Sequence, residues 1–180
     1  MNLPNKLTIL RVIMIPFFVV FLLAPQFQGY GNYIALAIFI VASLTDMLDG
    51  KIARKYHLVT NFGKLMDPLA DKLLVCSAII CLMDLKLLPV WVVLIIICRE
   101  FIISAFRLIA VENNVVIAAG IWGKCKTTVQ MLMVIALLLH LDFTAYYVLE
   151  QILIYGAVIL TIISLLDYLL HNKDVLKEQK

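Results

Sequence analysis

Hydrophobic residues run in six long stretches, roughly 7–24, 33–53, 63–83, 87–111, 125–141 and 146–170. Each approaches the ~20 residues that an α-helix needs to cross the hydrocarbon core of a bilayer. The breaks carry turn residues. Pro25 to Asn32 reads as a loop, Pro89 opens the fourth stretch, and Asn113 and Asn114 close it. The pattern predicts an all-α integral membrane protein of six transmembrane helices with short connections. No repeat or low-complexity segment interrupts it, so residues 1–180 read as one transmembrane domain.

Composition agrees with the pattern. The chain is 64% hydrophobic and 15% charged, with a mean hydropathy of +1.03. Globular domains average about 45–50% apolar and about 25% charged. A soluble domain of 180 residues lacks the interior to hide this much apolar surface, and the chain is far too apolar for disorder. The basic, then apolar, N-terminus has the outline of a signal peptide. It lacks a small-x-small cleavage site and is followed by further spans, so it is expected to be retained. Cys76, Cys81, Cys98 and Cys125 lie in or beside apolar runs without Cys-x2-Cys spacing, and they read as buried free thiols rather than zinc ligands.

Charge placement orients the helices. With the N-terminus in the cytoplasm, Lys6, Arg11, Lys51, Arg54, Lys55, Lys64, Lys72, Arg107, Lys124, Lys126, Lys173, Lys177 and Lys180 all fall inside. Only Lys86 falls outside, and Arg99 falls mid-span. The inverted topology would reverse this bias, so both termini are predicted to be cytoplasmic. Spread in this way, the basic residues make no nucleic-acid footprint, and no nucleic-acid partner is expected. Trp91, Tyr146 and Tyr147 read as interfacial anchors. His57, His140 and His171 have no ligand spacing and are given no role.

The second and third stretches carry the chemistry. Tyr33 to Thr45 and Leu73 to Met83 are each too short to cross a bilayer alone. Each helix must therefore continue through its charged neighbour, which puts Asp46, Asp49, Asp67 and Asp71 on helices near the cytoplasmic boundary. Asp46, Asp49, Gly50, Ala53 and Arg54 then share one helical face, and Gly63, Asp67 and Asp71 share another. A short connection around Tyr56 to Asn61 makes the two helices antiparallel neighbours, so four carboxylates can converge. Unpaired acids beside a bilayer are costly, and like charges oppose each other's ionisation. Arg54, Lys51 and Lys72 could neutralise part of the cluster, and a solvated loop is the plainer alternative. Two divalent cations are the more economical solution. All-oxygen ligands favour Mg²⁺ or Mn²⁺ over Zn²⁺, and a pair of such ions suits transfer at phosphorus.

The run Asp46-x2-Asp49-Gly50-x2-Ala53-Arg54-x8-Gly63-x3-Asp67-x3-Asp71 resembles the full signature of the CDP-alcohol phosphotransferases, membrane enzymes of phospholipid synthesis. The opening Asn2 to Arg11 with Pro16-Phe17 is similar to the bacterial branch that makes phosphatidylglycerol phosphate. So are Arg99 to Ser104 with Arg107, and Gly123-Lys124-Cys125-Lys126-Thr127. The resemblance implies a reaction in which CDP-diacylglycerol gives its phosphatidyl group to glycerol 3-phosphate and CMP leaves. It implies that Asp46, Asp49 and Asp67 hold the metals, with Asp71 near or on one of them and serving as general base. It sets Gly50, Ala53 and Arg54 against the CMP portion, with Gly63 allowing close approach, and tips Asn5, Thr8 and Arg11 toward the donor side. A homodimer among membrane lipids, in the bacterial plasma membrane with its active site at the cytoplasmic face, is also implied.

An anionic acceptor needs cations. Arg99 and Arg107 lie at i and i+8 on the fourth helix, and Lys124 and Lys126 enter the fifth from the same side. These four are the candidate acceptor-phosphate residues, since a forked guanidinium suits phosphate. Arg99 has a competing structural reading, an ion pair with Asp71 or another helix acid. Glu100 reads as an orienting partner for an arginine, and Lys124 and Lys126 read equally as topology signals or headgroup contacts. A different acceptor within the same family (inositol phosphate or phosphatidylglycerol) remains open, as, more remotely, does a small membrane carrier.

Overall fold

The structure is a computed structural model. It describes residues 3–27, 29–55, 61–112 and 120–172, without the side chains of 3–4, 46–55, 61–65, 67–68 and 111–112. Among the described residues there are six α-helices and no strand. They are α1 (Leu3–Leu23), α2 (Gly31–Lys55), α3 (Asn61–Asp84), α4 (Val90–Glu112), α5 (Ile121–Leu139) and α6 (Thr144–His171). Each apolar stretch of the sequence corresponds to one helix. Three helical segments are long and apolar enough to cross a membrane: Asn5–Leu23, Ile121–Leu139 and Thr144–His171. α4 has a comparable length but carries Arg99, Glu100 and Arg107 close together. α2 carries its charges, and α3 all of its own but the terminal Asp84, at the ends joined by residues 56–60, leaving a shorter apolar segment, Gly31–Thr45, on α2.

The chain forms two compact units, Met1–Leu88 with Val134–His140, and Pro89–Met133 with Leu141–Lys180. In the first, α1 packs against both α2 and α3. The inward face of α2 alternates Ala35, Phe39 and Ala42, all fully buried, and Phe18 of α1 meets Phe39 with ring centroids 6.2 Å apart. On α3, Ala70, Leu74, Ala78 and Leu82 repeat every four residues and are buried. Small residues on such stripes let apolar helices approach closely where dispersion, rather than water, drives packing.

Local chemistry sets the turns of this unit. Pro25–Phe27 forms a short 3₁₀ turn, and Gly29 takes φ +98, open to it because it has no Cβ. A Cβ on Gly31 would run into the Phe21 carbonyl oxygen, so glycine lets α2 start hard against α1. The rings of Phe21, Phe27 and Tyr30 close that corner. At the far end of α3, Leu87 N–H donates to the Leu82 carbonyl at 2.9 Å, and Lys86 N–H donates to Met83 at 2.9 Å. This is a Schellman cap, with Lys86 at φ 60 where glycine is usual.

In the second unit α4 packs along α6. Ile103, Phe106 and Tyr168 form a buried cluster, with Phe106 edge-on to Tyr168 at 6.0 Å and 84°. Thr161 and Ser164 are buried on α6. Their hydroxyls donate to the carbonyls of Ala157 (2.6 Å) and Thr161 (3.0 Å) in the same helix, so they need no partner from a neighbour.

Beside its apolar core, the chain buries cations and turns large apolar side chains outward. Arg11 (1% exposed) and Lys126 (3%) are inside, whereas Ile121 (77%), Leu170 (69%) and Phe101 (68%) face outward. Outward apolar faces are what a lipid environment requires.

Two expectations change. Trp91 and Tyr147 are exposed as anchors would be, but Tyr146 is buried against Phe143, with ring centroids 5.5 Å apart. Adjacent helical residues point about 100° apart, so only one tyrosine of the pair takes the outer face. All four cysteines are free, but Cys98 and Cys125 are exposed and Cys76 is half-buried; Cys81 alone is buried. An apolar thiol loses little by facing lipid, so hydropathy did not fix its direction.

Candidate active site

The acidic residues lie where helical continuity puts them. Asp46 and Asp49 lie in α2, and Asp67 and Asp71 in α3. The spacings i, i+3 and i, i+4 therefore keep each pair on one helical face. The last turns of α2 and the first turns of α3 are joined by residues 56–60 and share one end of their unit. Asp71 is half-buried. The side chains of Asp46, Asp49, Gly50, Ala53, Arg54, Gly63 and Asp67 lie outside the described residues, and no group of three or more His, Cys, Asp or Glu side chains gathers around one point among those described. The donor set on the two faces is hard carboxylate oxygen without imidazole or thiolate. It fits Mg²⁺ or Mn²⁺ and not a thiophilic metal.

On α1, Asn5, Thr8 and Arg11 recur every three residues and are all buried. Burying an arginine and an asparagine at the end of an apolar helix is costly unless the surroundings are polar. The inward edge of α1 in this unit is therefore polar from Asn5 to Arg11 and apolar from Phe18 onward.

The cationic residues belong to the second unit. Arg99 sits in the inward stripe of α4, between the buried Ile96 and Ile103. Its Nη1 donates to Glu100 Oε1 at 3.0 Å, and Lys126 Nζ of α5 donates to the same oxygen. One carboxylate thus bridges two cations from two helices, with side chains only 10%, 14% and 4% exposed for Arg99, Glu100 and Lys126. Gly123 lies alongside, and a Cβ there would stand 3.7 Å from Arg99 Nη2. The Nε of Arg99 and the Nε of Arg107 are buried without a hydrogen-bond partner among the described residues. A buried donor left unpaired is destabilising, and two on guanidinium groups suit a site that receives an anion.

Glu100 thus orients an arginine, as its sequence position suggested, and it is the acid that pairs with Arg99. Of the two lysines, Lys126 is turned inward and Lys124 is exposed. Positions 124 and 126 differ by about 200° around a helix, so they cannot share a face. Sequence reasoning singled out nothing at Gln130, which is 2% exposed. The available signal was an amide four residues after Lys126, on the same face.

A helical membrane protein that carries Asp-x2-Asp and Asp-x3-Asp on consecutive helices of one unit, and a buried arginine and lysine in the other, has the makings of a metal-assisted phosphotransferase. Comparison with known proteins gives the family. Residues 1–163 match the sequence profile described as CDP-alcohol phosphatidyltransferase, and the chain belongs to that family. Its members generally depend on divalent metal. A Bacillus subtilis (strain 168) protein named CDP-diacylglycerol–glycerol-3-phosphate 3-phosphatidyltransferase is 42% identical, over 98% of this chain and 97% of the relative. A Haemophilus influenzae protein of the same name is 40% identical over 93% and 91%. A Mycobacterium tuberculosis protein named probable phosphatidylglycerophosphate synthase is 40% identical, over 93% of this chain and 79% of its own length.

Proposed function

We propose that this chain transfers the phosphatidyl group of CDP-diacylglycerol to glycerol 3-phosphate, giving phosphatidylglycerol phosphate and CMP. The acceptor hydroxyl oxygen attacks the lipid-side phosphorus of the pyrophosphate. The bond from that phosphorus to the CMP oxygen breaks, and CMP leaves with the electron pair. Asp71 accepts the proton of the attacking hydroxyl. Asp46, Asp49, Asp67 and Asp71 would hold divalent ions, which would supply charge neutralisation at the pyrophosphate. Gly50, Ala53, Arg54 and Gly63 hold the CMP portion of the donor, and Asn5, Thr8 and Arg11 line its side. Arg99, Arg107 and Lys126 bind the acceptor phosphate, with the exposed Lys124 at the head of the same helix as Lys126. Six membrane spans with both termini cytoplasmic, one domain over residues 1–180, a homodimeric state and a bacterial plasma membrane complete the reading.

The observation that carries it is the buried cluster of Arg99, Glu100 and Lys126. One carboxylate holds two cations there, with all three side chains at most 14% exposed, and a small phosphate dianion suits a guanidinium and an ammonium placed together. The names of the near-full-length relatives favour the same acceptor.

The test is CMP release by detergent-purified protein with CDP-diacylglycerol across acceptors, with Mg²⁺ or Mn²⁺ and with chelator. Metal-dependent release with glycerol 3-phosphate, and not with inositol phosphate or phosphatidylglycerol, is expected. Release only with another alcohol would keep the family chemistry and overturn the acceptor. No release from folded protein would overturn the reaction.

A further inference from the structure

Gln130 is a buried polar residue that the reaction described above does not use. It lies on α5, and neither its amide oxygen nor its amide nitrogen has a hydrogen-bond partner among the described residues. The buried hydroxyls of Thr161 and Ser164 bond within their own helix. The Gln130 amide does not, although an unpaired amide is among the more costly groups to bury in apolar surroundings.

Its position gives it a purpose. Gly123, Lys126 and Gln130 stand at i, i+3 and i+7 on one face of α5. Along that face, Gly123 lies beside the Arg99 guanidinium, and Lys126 pairs with Glu100. Gln130 is the next position on the face, one turn or about 6 Å farther along the axis. An unpaired amide therefore follows directly on the buried Arg99–Glu100–Lys126 cluster. A hydroxyl both donates and accepts, and the amide offers both complements.

We propose that Gln130 is a specificity-determining residue for the acceptor, its amide hydrogen-bonding the bystander hydroxyl of glycerol 3-phosphate, the one that does not attack phosphorus. This rests on the acceptor reading given above. With the phosphate on Arg99 and Lys126, the middle hydroxyl lies partway along the rise of about 6 Å to the next turn, and the long Gln130 side chain reaches the rest. A site built to pair a hydroxyl discriminates against an analogue without it, because the protein's own polar group is then left unpaired.

The test compares glycerol 3-phosphate with 3-hydroxypropyl phosphate, which lacks only the middle hydroxyl, in the CMP-release assay on the purified full chain. The wild-type protein should prefer glycerol 3-phosphate in kcat/KM by roughly 10- to 100-fold. Gln130→Met keeps the volume and removes the amide. It should bring the ratio to within about threefold of one, chiefly by raising KM for glycerol 3-phosphate, and should leave the KM for CDP-diacylglycerol unchanged. A merely structural Gln130 makes the opposite prediction: Gln130→Met melts higher and keeps the wild-type ratio, which would overturn the proposal. If Gln130→Met does not fold, Gln130→Asn withdraws the same amide by one methylene and must lose part of the preference; an intact ratio there also overturns it. A wild-type protein that uses both phosphates equally well defeats the Gln130 proposal alone. One that releases no CMP with glycerol 3-phosphate defeats the acceptor reading beneath it.

Discussion

Glu100→Gln is the sharpest single perturbation of the Arg99–Glu100–Lys126 cluster. The Glu100 carboxylate takes a bond from Arg99 Nη1 at 3.0 Å and another from Lys126 Nζ, with all three side chains at most 14% exposed. At 3.0 Å and an effective dielectric of 20, the attraction within one such pair is about 5 kcal/mol before desolvation is counted. Removing one partner of a buried pair costs about 3–5 kcal/mol net, because the remaining charge stays buried. Glutamine keeps a carbonyl acceptor worth about 1 kcal/mol, so the expected loss is about 2–4 kcal/mol. Unfolding in detergent, followed by two independent probes, measures it. Adding Lys126→Met removes the ammonium that Glu100 held, and the double variant should recover part of the loss, with a coupling above about 1 kcal/mol. Glycerol 3-phosphate should raise the melting temperature of Glu100→Gln more than that of wild type, since its phosphate supplies the missing negative charge. A Glu100→Gln protein within about 0.5 kcal/mol of wild type, the size of an ordinary surface change, would refute the view of Glu100 as the counter-ion of a buried site.

Three further outcomes are expected. Asp71→Asn should fold normally and lose CMP release by roughly 10²- to 10⁴-fold, the range for a general base; single-turnover release and a melting curve on the same preparation check both halves. Arg99→Lys should raise the KM for glycerol 3-phosphate at least about tenfold and leave that for CDP-diacylglycerol unchanged, because an ammonium cannot reproduce the guanidinium fork; equal losses for both substrates count against an acceptor site there. Lys86→Gly should stabilise the protein by roughly 0.5–1 kcal/mol without altering turnover, since Lys86 holds a left-handed conformation at φ 60 that glycine adopts without strain.

Much of the fold was legible because membrane helices announce themselves by length. The six apolar stretches correspond to α1 to α6, with ends that move by a few residues. The extension of α2 and α3 through their charged segments was legible for the same reason, since neither apolar run was long enough alone. What stayed hidden was direction around a helix wherever two neighbours had equal claims. Tyr146 and Tyr147 are chemically identical, and only packing at Phe143 decides which turns inward. Cys98 and Cys125 carry no hydropathy signal strong enough to choose a face.

The lysines show where that ambiguity has functional weight. Lys124 and Lys126 read identically as basic residues at a helix entrance, yet they lie on opposite sides of α5. The choice between them is made by Glu100, a residue 26 positions earlier in the chain. A carboxylate buried in an apolar helix must find a cation, and Arg99 alone leaves an oxygen lone pair to be met from another helix. Lys126 meets it, which turns the whole Gly123–Lys126–Gln130 face of α5 inward. Once Lys126 is committed to Glu100, Gln130 is carried into the interior by helical geometry alone. The burial of an amide at position 130 is thus a consequence of the same ion pair that forms the cationic site. This is why a polar residue lacking any motif of its own belongs with Arg99 and Lys126 and not with the packing residues that follow it.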